Sequence, residues 1–153
     1  MNEINIINSI KGKMLDNLIM VSFYLSNKLV CKHLMMYMEF EAKWIAITIG
    51  DEISKIKESS LKEANTFDKF CDHNGTLYEY PISNYNHHVK EFIGSKLIDV
   101  KKLLYKEDMD SANGIIFYFD NKKNIIFIGE YEDEVKMTFD KNDIPEDLIE
   151  SSI

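Results

Sequence analysis

Apolar and polar positions sort most sharply in residues 111–139. Two runs, Ile115-Ile116-Phe117-Tyr118-Phe119 and Ile125-Ile126-Phe127-Ile128, flank the polar turn Asp120-Asn121-Lys122-Lys123-Asn124. β-Branched and aromatic residues on either side of such a turn predict a hairpin. In a third run Val135, Met137 and Phe139 alternate with Glu134, Lys136 and Thr138. That period of two belongs to a strand with one wet face. The first two runs are apolar on both faces, so both faces need cover. The stretch reads as a three-stranded meander with those two strands central.

Upstream, Ile4 and Ile6 are spaced by two and predict a short strand over 2–10. After the Lys11-Gly12-Lys13 turn, 14–25 reads as a long strand. A second hairpin is expected from 34–40 and 44–49, turned at Glu41-Ala42-Lys43, followed by a short strand over 53–57. Leu61, Ala64, Phe67, Phe70 and Cys71 recur at helical spacing, and Ser59 or Ser60 could cap a helix over 59–71, with Glu63 three positions after Ser60. Residues 77–82 carry Pro81 and read as an edge strand. A second helix is expected over 84–93, ending at Gly94, and one helical turn or a frayed end over 144–150. The two helices are expected to cover sheet faces.

The halves share an order. Ile10-Lys11-Gly12-Lys13-Met14-Leu15-Asp16 aligns with Ile93-Gly94-Ser95-Lys96-Leu97-Ile98-Asp99 as I-x-x-K-φ-φ-D, where φ is apolar. Tyr37-Met38-Glu39-Phe40-Glu41 matches Phe117-Tyr118-Phe119-Asp120, and Gly50-Asp51-Glu52-Ile53 matches Asp133-Glu134-Val135. Either the chain is a twofold repeat or a composition rich in Ile, Lys and Asp has matched itself. The expected fold is α+β: mostly antiparallel sheet from two similar strand–hairpin–strand halves, with one or two helices between them. One domain spans 1–153, with a first β half at 1–58, a helical or loop connection at 59–93, and a second β half with an acidic tail at 94–153.

Composition narrows the function classes. A chain of 153 residues can bury its own core without disulfides or metal. Its apolar runs are too short to cross a bilayer, and Met-Asn-Glu-Ile-Asn-Ile lacks the features of a secretory signal, so the cytoplasm is the expected location. Cys31 and Cys71 lack CxxC spacing. All 18 basic residues are lysine, so bidentate clamping of phosphate or carboxylate by arginine is ruled out. The net charge of -8 argues against nucleic acid as a partner. Nine acids against two lysines place -7 within residues 130–150. Such a field either keeps a surface solvated or steers a basic partner.

No catalytic set emerges. Cys71, His73, His87 and His88, with Asp72 between the first two, are zinc-type ligands that would suit a small metal-dependent hydrolase. Adjacent histidines point apart, however, and no second short-spaced pair accompanies them. Cys31 and His33 share a strand face without a third orienting group. The carboxylate pairs Asp51/Glu52 and Asp133/Glu134 head strands. A Gly-x-Ser-x-Gly elbow and a Gly-rich phosphate loop are both missing. Neither metal, cofactor nor catalytic residue is therefore assigned.

Gly-Ile-Ile-Phe-Tyr-Phe-Asp-Asn-Lys-Lys-Asn (114–124) and Ile-Gly-Glu-Tyr-Glu-Asp-Glu-Val (128–135) resemble the closing hairpin of small acidic bacterial immunity-type proteins. These are cognate inhibitors of polymorphic or contact-dependent toxins. The resemblance covers about the final third and implies a partner: a basic toxin domain, in many cases a nuclease, whose active site an acidic surface covers. Tyr131 within the acids suits a packing anchor. The expected contact residues are Glu130, Tyr131, Glu132, Asp133 and Glu134, with no membrane contact. Apolar strand edges leave a homodimer open as a further expectation.

Overall fold

The computed structural model describes residues 2–50, 53–64, 69–130 and 134–153. In the first of two antiparallel sheets, β1 (Leu15–Leu25), β2 (Lys28–Phe40), β3 (Lys43–Gly50) and β4 (Ile53–Ser59) form a meander. Three short strands, β5 (Phe70–Cys71), β6 (Leu77–Glu79) and β7 (Ile82–Asn84), extend that sheet beyond β1, in the order β4-β3-β2-β1-β6-β5 with β7 also on β1. In the second sheet β8 (Leu97–Tyr105), β9 (Asp108–Phe119), β10 (Asn124–Gly129) and β11 (Val135–Thr138) also form a meander, and β12 (Leu148–Ser152) returns to the outer edge of β8. β4 lies against β9, β3 against β10 and β2 against β11. The fold is α+β and mostly antiparallel sheet. No helix among the described residues is long and apolar enough to cross a membrane.

The inner faces meet in one core, where Met36, Met38, Phe40 and Ile45 of the first sheet pack in a cluster with Ile115, Phe117 and Phe127 of the second. Each such side chain contributes about 1.5–3 kcal/mol on leaving water, so this interface dominates stability. β9 and β10 are buried on both faces, as their doubly apolar pattern requires: Ile116, Ile126 and Ile128 form an outer cluster with Leu103 and Leu148. Cover on that outer side comes from Leu148 and Ile144 of the C-terminal segment, where the sequence pattern suggested a helix.

Several elements differ from the sequence expectation. Residues 2–10 were expected as strand, but Glu3–Ile10 is a helix, α1, because Asn2 caps it (Asn5 N–H to Asn2 Oδ1, 2.9 Å) and Ile6, Ile7 and Ile10 share one buried face. The expected helix over 59–71 is only α2 (Leu61–Ala64), with the Ser60 Oγ cap on Glu63 N–H in place at 3.0 Å. Phe67 lies outside the described residues. Phe70 and Cys71 instead pair with Tyr78 and Leu77, since Asp72 Oδ1 accepts from Asn74 and Thr76 N–H and closes a hairpin. Residues 85–93 make successive hydrogen-bonded turns, not an α-helix, and bury Val89 and Phe92. The tail holds a 3-10 turn at Lys141–Asp143 and then strand β12, where a helical turn was expected.

Both meanders begin alike. Gly12 (φ 80°) and Gly94 (φ 84°) take the left-handed conformation three residues before β1 and β8. Met14 N–H donates to Glu41 Oε2 and Lys96 N–H to Asp120 Oδ1, each at 3.0 Å, tying each first strand to the residue that follows its second. A register shift follows at once in both, between Leu15 and Asn17 and between Leu97 and Asp99. The two entry segments also bond to each other, through Gly12 N–H to Leu97 O (2.8 Å) and Gly94 N–H to Leu15 O (2.8 Å). This frame matches Gly12 with Gly94 and Leu15 with Leu97, one residue out of step with the I-x-x-K-φ-φ-D alignment.

Candidate functional site

The β10–β11 hairpin carries the sequence-predicted contact residues. Gly129 ends β10 opposite Val135, and Glu130 N–H donates to Glu134 O at 2.7 Å. Glu130 is exposed, whereas Tyr131, Glu132 and Asp133 lie outside the described residues. Glu134 turns back to the other sheet, its carboxylate accepting from Lys32 N–H (2.9 Å) and His33 N–H (3.1 Å) of β2. It is a tie between sheets.

His33 completes that tie. Its Nδ1 lies 2.7 Å from Val135 O, and a carbonyl can only accept, so Nδ1 carries the proton. In the neutral ring Nε2 then accepts from Tyr85 Oη at 3.1 Å. Both ring nitrogens are thus occupied, so His33 is not a free base for Cys31, which is buried two residues away. The zinc-type set does not assemble either. Among the described residues no three His, Cys, Asp or Glu side chains converge as metal ligands, and Asp72 is spent on its turn. Adjacent His87 and His88 sit on a turn with ring centres 6.2 Å apart.

Other acids of the C-terminal segment also have internal duties. Glu150 accepts from Tyr118 Oη and pairs with Lys141 at 3.3 Å, while the Lys141 ammonium sits 4.6 Å over the Tyr118 ring. Burial would raise the Glu150 carboxyl, but bonds from Tyr118 and Lys141 outweigh it and hold the carboxyl below its usual range. Burial, then the bond to Glu150, pushes the Tyr118 phenol up. Asp143 bonds Thr138 Oγ1 and faces Lys136 at 3.9 Å, and Asp140 caps the 3-10 turn.

What remains is an acidic end of the second sheet that the sequence order hid. The β8–β9 turn brings up Glu107, Asp108 and Asp110, and Leu148 pairs with Tyr105, which sets Glu146 and Asp147 beside that turn. All five are exposed, with Lys106 among them. Glu130 belongs to the same end, set back by roughly 17 Å along the strands because β9 runs five residues past the end of β10. None of these six carboxylates joins an ion pair among the described residues. The sequence signal was present in Lys106-Glu107-Asp108-Met109-Asp110, but without the strand order nothing joined it to Glu146-Asp147. Compared with protein-family models, curated proteins and solved structures, the chain matches none.

Proposed function

We propose that this is a binding protein that docks a basic protein partner through the acidic end of its second sheet. In the form the immunity-type resemblance implies, the partner is a toxin domain met in the cytoplasm, its active site covered by this surface. One observation carries the reading: six exposed carboxylates that join no ion pair among the described residues, Asp108 alone being held by Asp110 N–H and Ser111 Oγ, lie with Lys106 at one end of an arginine-free scaffold. A field of this kind speeds capture of a cationic partner by about 10- to 1,000-fold and weakens as salt rises. Tyr131, Glu132 and Asp133 stay proposed contacts beside Glu130, and Glu134 holds their hairpin in place. The matched meanders, left-handed glycines and register shifts support a second part of the proposal, that the chain is two copies of one unit.

The test co-expresses the chain in bacteria with a toxin-length reading frame found next to its gene; absence of any such frame also counts against the toxin form of the reading. Wild type restores growth, and its association rate with the purified toxin domain falls steeply with salt. The Glu107→Lys, Asp108→Lys, Glu146→Lys, Asp147→Lys variant keeps its circular dichroism and loses protection. Undiminished protection by that variant, or no protection by wild type, overturns the reading.

A further inference from the structure

One lateral side between the two sheets is closed by side chains. On the closed side His33, seven residues before the end of β2, spans to Val135, and Tyr85, nine residues before Gly94, meets its ring. On the other side the corresponding positions hold Ala112, seven residues before the end of β9, and Glu3, nine residues before Gly12. Eight residues past the two glycines stand Met20, fully buried in the core, and Lys102. An open groove of about 720 Å³ lies there between α1, β3, β4, β8 and β9, within the size range of small-molecule sites.

Its lining is costly for a mere packing gap. Ser54 is 2% exposed, and its hydroxyl has no hydrogen-bond partner among the described residues. A buried hydroxyl left unpaired costs about 1–3 kcal/mol. Lys102, half-buried, faces Glu3 at 2.7 Å. Glu3 is fully engaged, since its other oxygen accepts Ile56 N–H at 2.8 Å, but the Lys102 ammonium keeps donors to spare. Lys55 and Lys57 add cations and Asp110 an acid at the rim, and Ile56 and Ala112 supply apolar wall.

We propose that this groove binds a small organic carboxylate, its anionic head met by Lys102 and the Ser54 hydroxyl and its apolar body laid on Ile56 and Ala112. The experiment is a titration of the ¹⁵N-labelled full chain with sodium hexanoate, and separately with inorganic phosphate and with hexanol. Hexanoate produces saturable amide shifts centred on Ser54, Lys55 and Ala112, while phosphate and hexanol bind at least about tenfold more weakly. Ala112→Leu, which fills the space, abolishes the shifts. Lys102→Met, which installs the residue of the other half, brings hexanoate down to the level of hexanol, and both variants are checked for native dispersion. If Ala112→Leu loses native dispersion, Lys102→Met decides alone. No saturable response to hexanoate, equal binding of phosphate, or hexanoate affinity unchanged in a folded variant overturns the proposal.

Discussion

Glu134→Ala tests whether this residue is a tie or a contact. Its carboxylate accepts from Lys32 and His33 N–H at 2.9 and 3.1 Å, joining β11 to a strand about a hundred residues earlier. Hydrogen bonds to a charged acceptor contribute about 1.5–3 kcal/mol each. The side chain is 31% exposed, so water replaces part of the loss and the low end applies. A combined cost of about 2–3 kcal/mol follows. At this chain length each kcal/mol moves the melting midpoint by about 2–4 °C, so Glu134→Ala melts roughly 5–10 °C lower. Glu134→Gln keeps one acceptor and falls between. The assay is urea denaturation followed by tryptophan fluorescence, with the slope checked for two-state behaviour. A loss below about 0.5 kcal/mol, the level of an ordinary surface substitution, would refute the cross-sheet tie.

Glu150 has a carboxyl held below its usual range, so its contribution to stability is full above the unfolded value of 4.5 and is lost as pH falls through the folded one. Glu150→Gln therefore flattens the acid limb of the stability–pH curve, read by thermal melts from pH 6 down to about pH 3. The Tyr37 phenol is pushed up to about 12 by burial and then by Glu63, so stability present below pH 10 is lost as pH rises through that range. In Tyr37→Phe the alkaline loss shrinks by the same melts. Gly114 packs where an added Cβ would lie 2.7 Å from Phe127 O and 2.8 Å from a Leu103 methyl. Gly114→Ala costs about 1–3 kcal/mol by overpacking, measured as a shift of the urea midpoint.

Period-two and doubly apolar patterning located β1, β3, β4 and most of the β9–β11 meander, because those strands wet one face or none, but it missed β12 and the first residues of β2 and β9. It failed where the alternation was short. Ile4 and Ile6 satisfied a strand, yet Ile7 and Ile10 continue the helical face with Ile6, and Asn2 supplies the cap. Phe70 and Cys71 satisfied a helix, yet the Asp72 turn folds them back onto β6. Local spacing cannot register such tertiary pairing. The candidate site was half legible: the β10–β11 acids stood out as a run, whereas Glu107, Asp108 and Asp110 joined Glu146 and Asp147 only once β12 had paired with β8. The groove left no trace in the pattern, since an alanine in a strand is unremarkable until His33 is seen on the other side.

Net charge alone overstates how much acid this surface offers a partner. Glu3 takes the N–H of Ile56, Glu41 that of Met14, Asp16 that of Glu41, Asp120 that of Lys96, and Glu134 those of Lys32 and His33. Apart from Glu3, which lies in the first turn of α1, each sits where a strand starts or a hairpin turns, the places where backbone donors lack a ladder partner. A carboxylate there accepts a charge-assisted bond and loses its reach into solvent. Acids free to act on another molecule are those at turn apices whose neighbouring N–H groups are already satisfied. By that criterion Glu130, Glu146 and Asp147 stay available while Glu134 and Glu150 do not, and the acid-dense run in the sequence divides into fixings and a field. The field lies at the end where the β8–β9 turn projects farthest, which is where a cationic partner would meet it first.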